Sequence, residues 1–405
     1  MFIKPMVRNN ICLNSHPKGC AAVVEQQIAY VKQHLTPSVE SPKLALVIGC
    51  STGYGLASRI AAGFGYRAAT IGVSLEKPGS KTKPGTPGYY NNMAFERAAA
   101  KASLPAKTLD GDAFSNETKA AVIEATQSIA ALLSIPPKID LLVYSLASPV
   151  RIDPNTGVMY RSVIKPIGTE YSGKTLDIMT EKLKIVSAEP ASPEEIDSTI
   201  KVMGGEDWNL WIDALDKADV LSPSVRTVAY TYIGPELSWP IYKNGTIGRA
   251  KEDLERTSNA INARLSSNGG AAWVSVNKAV VTRASAVIPI IPFYVSCLFK
   301  VMKDKGIHEG CIEQITRLYK NRLYFPISSV RVDNERRIRL DDWEMREDVQ
   351  AEVIARMKRV TDETVPTDTD LVGFKHDFFE AHGFDVSGVD YDADIDPATI
   401  EEELV

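Results

Sequence analysis

Two rhythms of apolar residues alternate along the chain. In "PKLALVIG" (42–49), "AATIGVSLE" (68–76) and "KIDLLVYSLASP" (138–149) the apolar residues come in short continuous runs, as in strands covered on both faces, and "AKTLDGDAF" (106–114) reads as a short strand and its exit loop. Between these runs apolar positions return every three or four residues, as on one face of a helix. This holds for "EQQIAYVKQHL" (25–35), for Leu56, Ile60 and Phe64, for "NMAFERAAAKA" (92–102) and for "ETKAAVIEATQSIAALL" (117–133). Proline and glycine crowd "PGSKTKPGTPGYYNN" (78–92), which reads as a loop. Strand and helix alternate about every 25 residues, which predicts an α/β fold: a doubly wound parallel sheet with helices on both faces.

From 151 to 200 the texture turns polar and turn-rich ("RIDPNTG", "KPIGTEYSGKT", "AEPASPEE"), as expected of an insertion or peripheral hairpin. Regular patterns then resume. "DWNLWIDALDKADVL" (207–221) is amphipathic, "VRTVAYTYIG" (225–234) and "AAWVSVNKAVVT" (271–282) are strands, and "TIGRAKEDLERTSNAINARL" (246–265) is a long helix. The apolar segment 284–299, "ASAVIPIIPFYVSCLF", contains Pro289 and Pro292, which break its helical regularity, and reads as a core helix or as the edge of a pocket. Mostly helix follows to about residue 358, and the acidic end "DIDPATIEEELV" reads as peripheral. The expected organisation is one enlarged domain over 1–405. Its cofactor-binding core lies at about 40–150 and 225–300, with a polar insertion at 151–200 and a helical C-terminal part at 300–405.

Composition narrows the function classes. The chain has 405 residues, 44% hydrophobic and 24% charged, with a net charge of −5. It carries no long basic run, so no nucleic-acid partner is expected. Its longest apolar stretch falls short of the roughly 20 residues of a membrane span, and the N-terminus lacks the apolar core of a secretory signal. Five scattered cysteines (Cys12, Cys20, Cys50, Cys297 and Cys311) suggest reduced thiols and a cytoplasmic protein. Cys12, His16 and Cys20 lack a fourth nearby ligand, and no second histidine follows "HE" at 308–309 at the spacing of a zinc protease. No metal site is expected.

The chemistry starts at "VIGCSTGYGLASRIAAGFG" (47–65). Gly49, Gly53 and Gly55 fall between a strand and a helix, where a sharp turn favours residues that tolerate positive φ. Absent Cβ atoms let a pyrophosphate approach the chain, and free N–H groups at the helix start face its charge. Glu76, at the end of the second strand, can accept hydrogen bonds from both adenosine ribose hydroxyls and would repel a 2′-phosphate, which favours NADH over NADPH. Asp112 and Ala113 follow the third strand and Leu146 and Ala147 the fourth, where such sheets bind their ligands. The G-x-x-x-G-x-G spacing is similar to that of the short-chain dehydrogenase/reductase superfamily, in which a Tyr and a Lys four apart share a helix face. Here Tyr232, Tyr242 and Lys251 are available. Nine positions on one helix are about 900°, which would put Tyr242 and Lys251 on opposite faces. Pro240 and Gly245 instead keep Tyr242 in an approach segment. The helix then starts near Thr246 and buries Ile247, Ala250, Leu254, Ile261 and Leu265.

At these residues the chain resembles the trans-2-enoyl-CoA reductases and FabV-type enoyl-acyl-carrier-protein reductases. Tyr-x8-Lys is matched by Tyr242 and Lys251. "HPKGC", "GCSTGYGLASR", "GDAF", "YSLASP", "KVMGGEDW", "YIGPE", "GTIGRAK", "VTRASAVIP", "HEGCIEQ" and "DDWEM" extend the likeness over nearly the whole chain. The resemblance implies an enlarged Rossmann-like enzyme, monomeric, that reduces the 2,3 double bond of an enoyl thioester on CoA or acyl-carrier protein with NADH. It also implies Tyr242 as proton donor or enolate stabiliser, with Lys251 supporting that charge and binding cofactor. Tyr232 is implied at the thioester. Gly49, Cys50, Ser51, Thr52, Gly53, Tyr54, Leu75, Glu76, Asp112, Ala113, Leu146, Ala147, Lys251, Val280, Val281 and Thr282 are implied at NADH. Arg249 stands seven after Tyr242, the lysine spacing of another enoyl reductase group. Two rivals remain: a short-chain dehydrogenase acting on a carbonyl or hydroxyl, which would want Lys where Thr246 stands, and a non-catalytic NAD-sensing protein.

Overall fold

The computed structural model describes residues 1–397 except 9, 284, 286, 287 and 325. Part of the apolar segment 284–299 and most of the acidic tail therefore lie outside the described residues. The apolar runs become the strands of a seven-stranded sheet. These are β1 (Leu44–Ile48), β2 (Ala69–Ser74), β3 (Ala106–Asp110), β4 (Ile139–Tyr144), β5 (Leu221–Thr231), β6 (Ala271–Val276) and β7 (Arg337–Arg339). They lie in the order β7-β6-β5-β4-β1-β2-β3, every neighbouring pair parallel. The chain winds outward from β1 to β3, then returns to β4 on the other side of β1. Connections diverge there, and a crevice opens at the carboxyl ends of the strands.

Period-two alternation divides the core. Leu44, Leu46 and Ile48 of β1 pack with Val122 and Ile129 of Asn116–Leu133, with Trp208 and Trp211 of Glu206–Lys217, and with Leu254 and Ile261 of Thr246–Leu265. Ala45 and Val47 face the other way, onto Val24 and Ile28 of Pro17–His34, Leu56 and Ile60 of Gly53–Ile60, and Ile315 of Cys311–Leu318. Coverage of both faces is why β1 reads as an unbroken apolar run. A third cluster joins Tyr242, Ala279 and Val281 at the carboxyl-end loops to the helices Ile291–Asp304, Glu347–Arg359 and Leu371–Glu380. The polar insertion forms two hairpins, Val150–Ile152 with Met159–Arg161 and Tyr171–Asp177 with Lys182–Ala188, before a helix at Pro193–Met203.

Three sequence expectations are corrected. The first helix begins at Pro17, not near 25, because the His16 Nδ1 accepts from the Gly19 N–H at 3.2 Å and Pro17 occupies the first helical position. The loop read over 78–92 stops at Thr86. A helix runs Pro87–Lys101, so the prolines and glycines that resembled loop chemistry include a helix start. The stretch from 300 to 358 is not mostly helical throughout, since 324–346 is largely irregular and supplies the edge strand β7. At the other end of the chain, Ile395 is buried and its N–H donates to the Met1 carbonyl at 3.1 Å, so the acidic end begins docked on the N-terminus.

Helix Glu206–Lys217 is anchored by a buried ion pair. Lys119 Nζ donates to Asp207 Oδ1 at 2.9 Å, the Tyr144 hydroxyl donates to Oδ2 at 3.1 Å, and both charged residues are buried. Asp207→Ala strands the Lys119 charge in the core and is expected to cost about 3–5 kcal/mol, measured as a lower urea midpoint at unchanged slope.

Candidate active site

After β1 the chain reverses through residues 49–52 into the helix Gly53–Ile60. Gly49 and Gly53 take φ of +82° and +54°, a region unfavourable to side chains. A Cβ on Gly49 would overlap the Ser145 carbonyl oxygen just beyond β4, and one on Gly55 would overlap the Gly49 carbonyl. The turn is therefore pressed against the exit of the neighbouring strand. Some helices of the chain are capped by side chains, and the one it opens, like several others, is not. Ser115 Oγ accepts from the Thr118 N–H at 3.1 Å, and Ser192 forms a reciprocal cap with Glu195. Thr52, at the corresponding position here, makes no such bond. Side-chain-free backbone and uncapped N–H donors at the positive end of a helix dipole fit the pyrophosphate of a dinucleotide.

The expected cofactor residues leave the sheet at this carboxyl edge. Leu75 and Glu76 follow β2, Asp112 and Ala113 follow β3, Leu146 and Ala147 follow β4, and Val280, Val281 and Thr282 follow β6. The Ser51 hydroxyl donates to Glu76 Oε1 at 2.6 Å, Arg283 Nη1 lies 3.9 Å from that oxygen, and Thr282 borders Gly53. Turn, carboxylate and the 280–283 loop thus meet around one space. Some side chains turn away from it. Cys50 is buried, with Sγ 3.6 Å from Asn92 Oδ1. The Tyr54 hydroxyl donates to the Lys278 carbonyl at 2.9 Å and accepts from Gln314 Nε2 at 2.8 Å. Asp112 accepts from the Phe114 N–H at 3.0 Å, and the Ala113 carbonyl accepts from the Trp211 indole at 3.0 Å. The Cys50 and Tyr54 side chains thus anchor the turn, while Asp112 keeps its second carboxylate oxygen free of any described partner.

Tyr242 stands in a turn segment that ends where the helix Thr246–Leu265 begins. Its carbonyl accepts from the Gly248 N–H at 3.1 Å. The helix buries the five residues expected of it. Lys251 Nζ donates to the Tyr230 carbonyl at 3.3 Å, at the carboxyl end of β5. Tyr232 follows on the same strand exit, and its ring meets Tyr242 edge to face at 5.1 Å. Burial raises the Tyr242 phenol and lowers Lys251 to about 8. Among the described residues no group hydrogen-bonds the Tyr242 hydroxyl. A cavity of about 1030 Å³ opens beside this segment, lined among others by Leu237, Pro240, Ile290, Phe293 and Met357. From the apolar segment, Ile290 and Phe293 line that cavity, while Val295, Leu298 and Phe299 sit in the core as the core-helix reading expects.

Sequence reasoning missed the supports. Asn91 Nδ2 donates to the Ser51 carbonyl at 2.9 Å from a helix that had been read as loop. Arg283 and Glu344 sat inside quoted motifs without a role, and no local pattern marks either as facing the site.

The fold and the turn define the class: a Rossmann-type, dinucleotide-binding protein. The chain belongs to the trans-2-enoyl-CoA reductase family. The model described as "Trans-2-enoyl-CoA reductase catalytic region" matches residues 83–324 and "NAD(P)H binding domain of trans-2-enoyl-CoA reductase" matches 2–81. A third, "Enoyl reductase FAD binding domain", matches 332–395. This last segment supplies β7 and the helices packed on Ile291–Asp304, while the glycine turn lies at 49–55, outside it. The chain is 57% identical to the trans-2-enoyl-CoA reductase [NADH] of Treponema denticola, over 98% of this chain and 99% of that one. It is 54% identical to the enoyl-[acyl-carrier-protein] reductase [NADH] of Flavobacterium johnsoniae, over 97% of each. The crystal structure of the Treponema denticola enzyme in complex with NAD superposes with a TM-score of 0.92, covering 98% of both chains.

Gly55→Ala forces a methyl into the Gly49 carbonyl. The expected result is a loss of about 1–3 kcal/mol of stability, read as a lower Tm.

Proposed function

We infer that this protein reduces the 2,3 double bond of trans-2-enoyl thioesters with NADH, an oxidoreductase step of fatty acid synthesis. What supports the reading is the edge-to-face contact of Tyr232 with Tyr242 just past β5, with Lys251 donating to the Tyr230 carbonyl at the end of the same strand, in a chain that matches NADH-dependent enoyl reductases over nearly its whole length. Bound NADH supplies the hydride that the β-carbon receives. Gly49–Thr52 and the start of the Gly53 helix hold its pyrophosphate. Glu76 takes the ribose hydroxyls and disfavours a 2′-phosphate, with Leu75 beside it. Asp112 and Ala113 would lie by the cofactor's adenine, Leu146 and Ala147 by its middle, and Val280–Thr282 would also contact it.

As negative charge moves onto the thioester oxygen, Tyr242 donates a hydrogen bond to it, and the Lys251 ammonium lowers the local potential. Burial keeps the phenol neutral, and so able to donate, throughout the working pH range. The cavity beside Pro240 receives the acyl chain against Ile290 and Phe293. CoA and acyl-carrier protein present the same pantetheine thioester, and the site serves either. By its likeness to the family the working unit is proposed to be a monomer. Five cysteines without a disulfide suit a cytoplasmic enzyme.

NADH absorbance with crotonyl-CoA tests the reading. Turnover of ketones instead would favour a carbonyl dehydrogenase, and binding without any turnover an NAD sensor. Tyr242→Phe is expected to lower kcat by about 100-fold or more, some 3 kcal/mol, while a fluorescence titration shows NADH still bound. Lys251 is charged below its lowered pKa and neutral above it. The kcat/KM of the free enzyme is therefore expected to fall as pH rises through about 8. In Lys251→Arg the side chain stays charged, and that descending limb should disappear from the profile.

A further inference from the structure

Tyr232 and Tyr242 are two phenols in contact, and position alone does not say which one acts as the acid. Glu344 distinguishes them. It follows β7 and is fully buried. Its Oε1 accepts from the Tyr232 hydroxyl at 3.0 Å and from the Tyr294 hydroxyl at 2.5 Å, and its Oε2 accepts from the Ala279 N–H at 2.7 Å. The segment that carries it is pinned. Arg317 donates to Asp342 and to the Leu340 carbonyl, each at 2.7 Å, and lies over the Trp343 ring at 4.2 Å. Burial pushes the Glu344 carboxyl up. The Tyr294 hydroxyl and the Ala279 N–H oppose this, as does the Lys278 ammonium, tied to the Ala279 carbonyl at 2.8 Å, while the neighbouring Asp341 adds to it. The hydrogen bonds it receives favour the carboxylate form against that burial.

We propose that Glu344 is a positioning residue that assigns the acid role to Tyr242 by committing the Tyr232 hydroxyl hydrogen to itself. The proposal rests on the enoyl-reductase reading above. Tyr232 keeps only its oxygen lone pairs for the thioester region, so it accepts hydrogen bonds there and gives none. The Tyr242 hydroxyl, which no described residue binds, keeps its proton for the developing enolate. The same carboxylate fixes Ala279, the residue before Val280–Thr282, so the phenol pair and the cofactor loop share one anchor.

Consumption of NADH with crotonyl-CoA by the unaltered protein comes first, and its absence would count against the functional reading rather than this one. Tyr232→Phe and Tyr242→Phe are then made alone, and Tyr242→Phe is also made in a Glu344→Gln chain. In that chain the amide carbonyl stays on the Ala279 N–H, the amide N–H donates to the phenol oxygens, and the Tyr232 hydrogen is released toward substrate. Tyr242→Phe is expected to lower kcat by about 100-fold or more in the unaltered background, and by about 10-fold or less beside Glu344→Gln. Tyr232→Phe alone is expected to lower kcat by less than about 10-fold. An equal factor for Tyr242→Phe in both backgrounds overturns the proposal, as does a Tyr232→Phe loss matching that of Tyr242→Phe. The comparison of single variants needs no change at 344, so it decides the question even if Glu344→Gln does not fold.

Discussion

A backbone turn with no room for side chains organises this molecule. Residues 49–55 leave β1 so close to the exit of β4 that the Ser145 and Gly49 carbonyls occupy the space where Cβ atoms would lie. That proximity exists because β1 and β4 are neighbours in the parallel sheet while their outgoing connections diverge. The same crowding leaves a helix start bare of side chains and uncapped, with polar N–H groups turned toward the crevice. The other site residues lie around that crevice because they too leave the sheet at its carboxyl ends.

Burial does the electrostatic work beside it. Out of water, a phenol holds its proton more tightly and an ammonium less so, which keeps Tyr242 protonated and brings the loss of the Lys251 proton down to about pH 8. Burial also makes unpaired charge expensive, so the ions lining this end of the fold are tethered. Arg317 is shared between Glu309 and Asp342, Lys278 is held by the Ala279 and Glu309 carbonyls, and Glu344 is held by two phenols and a backbone N–H.

The strand pattern, the glycine spacing and the start of the helix at Thr246 were legible because each depends on neighbours within a few residues. The helix from Pro87 was not. A proline in a first helical turn and a proline in a loop are the same local signal, and burial of Tyr90 against distant residues decides between them. The edge strand β7, three residues long, has no periodicity to detect.

Local order, periodicity and backbone permissiveness thus specified the sheet, the turn and the segment that carries Tyr242. The tertiary structure alone decided which side chains face that space. It turned Cys50 and the Tyr54 hydroxyl into supports, set Tyr242 against Tyr232, and delivered Glu344 from 112 positions along the chain to the Tyr232 hydroxyl. Hydrogen bonding across such separations follows from how helices and sheet pack, and hydrophobic patterning carries no record of which buried polar groups will meet.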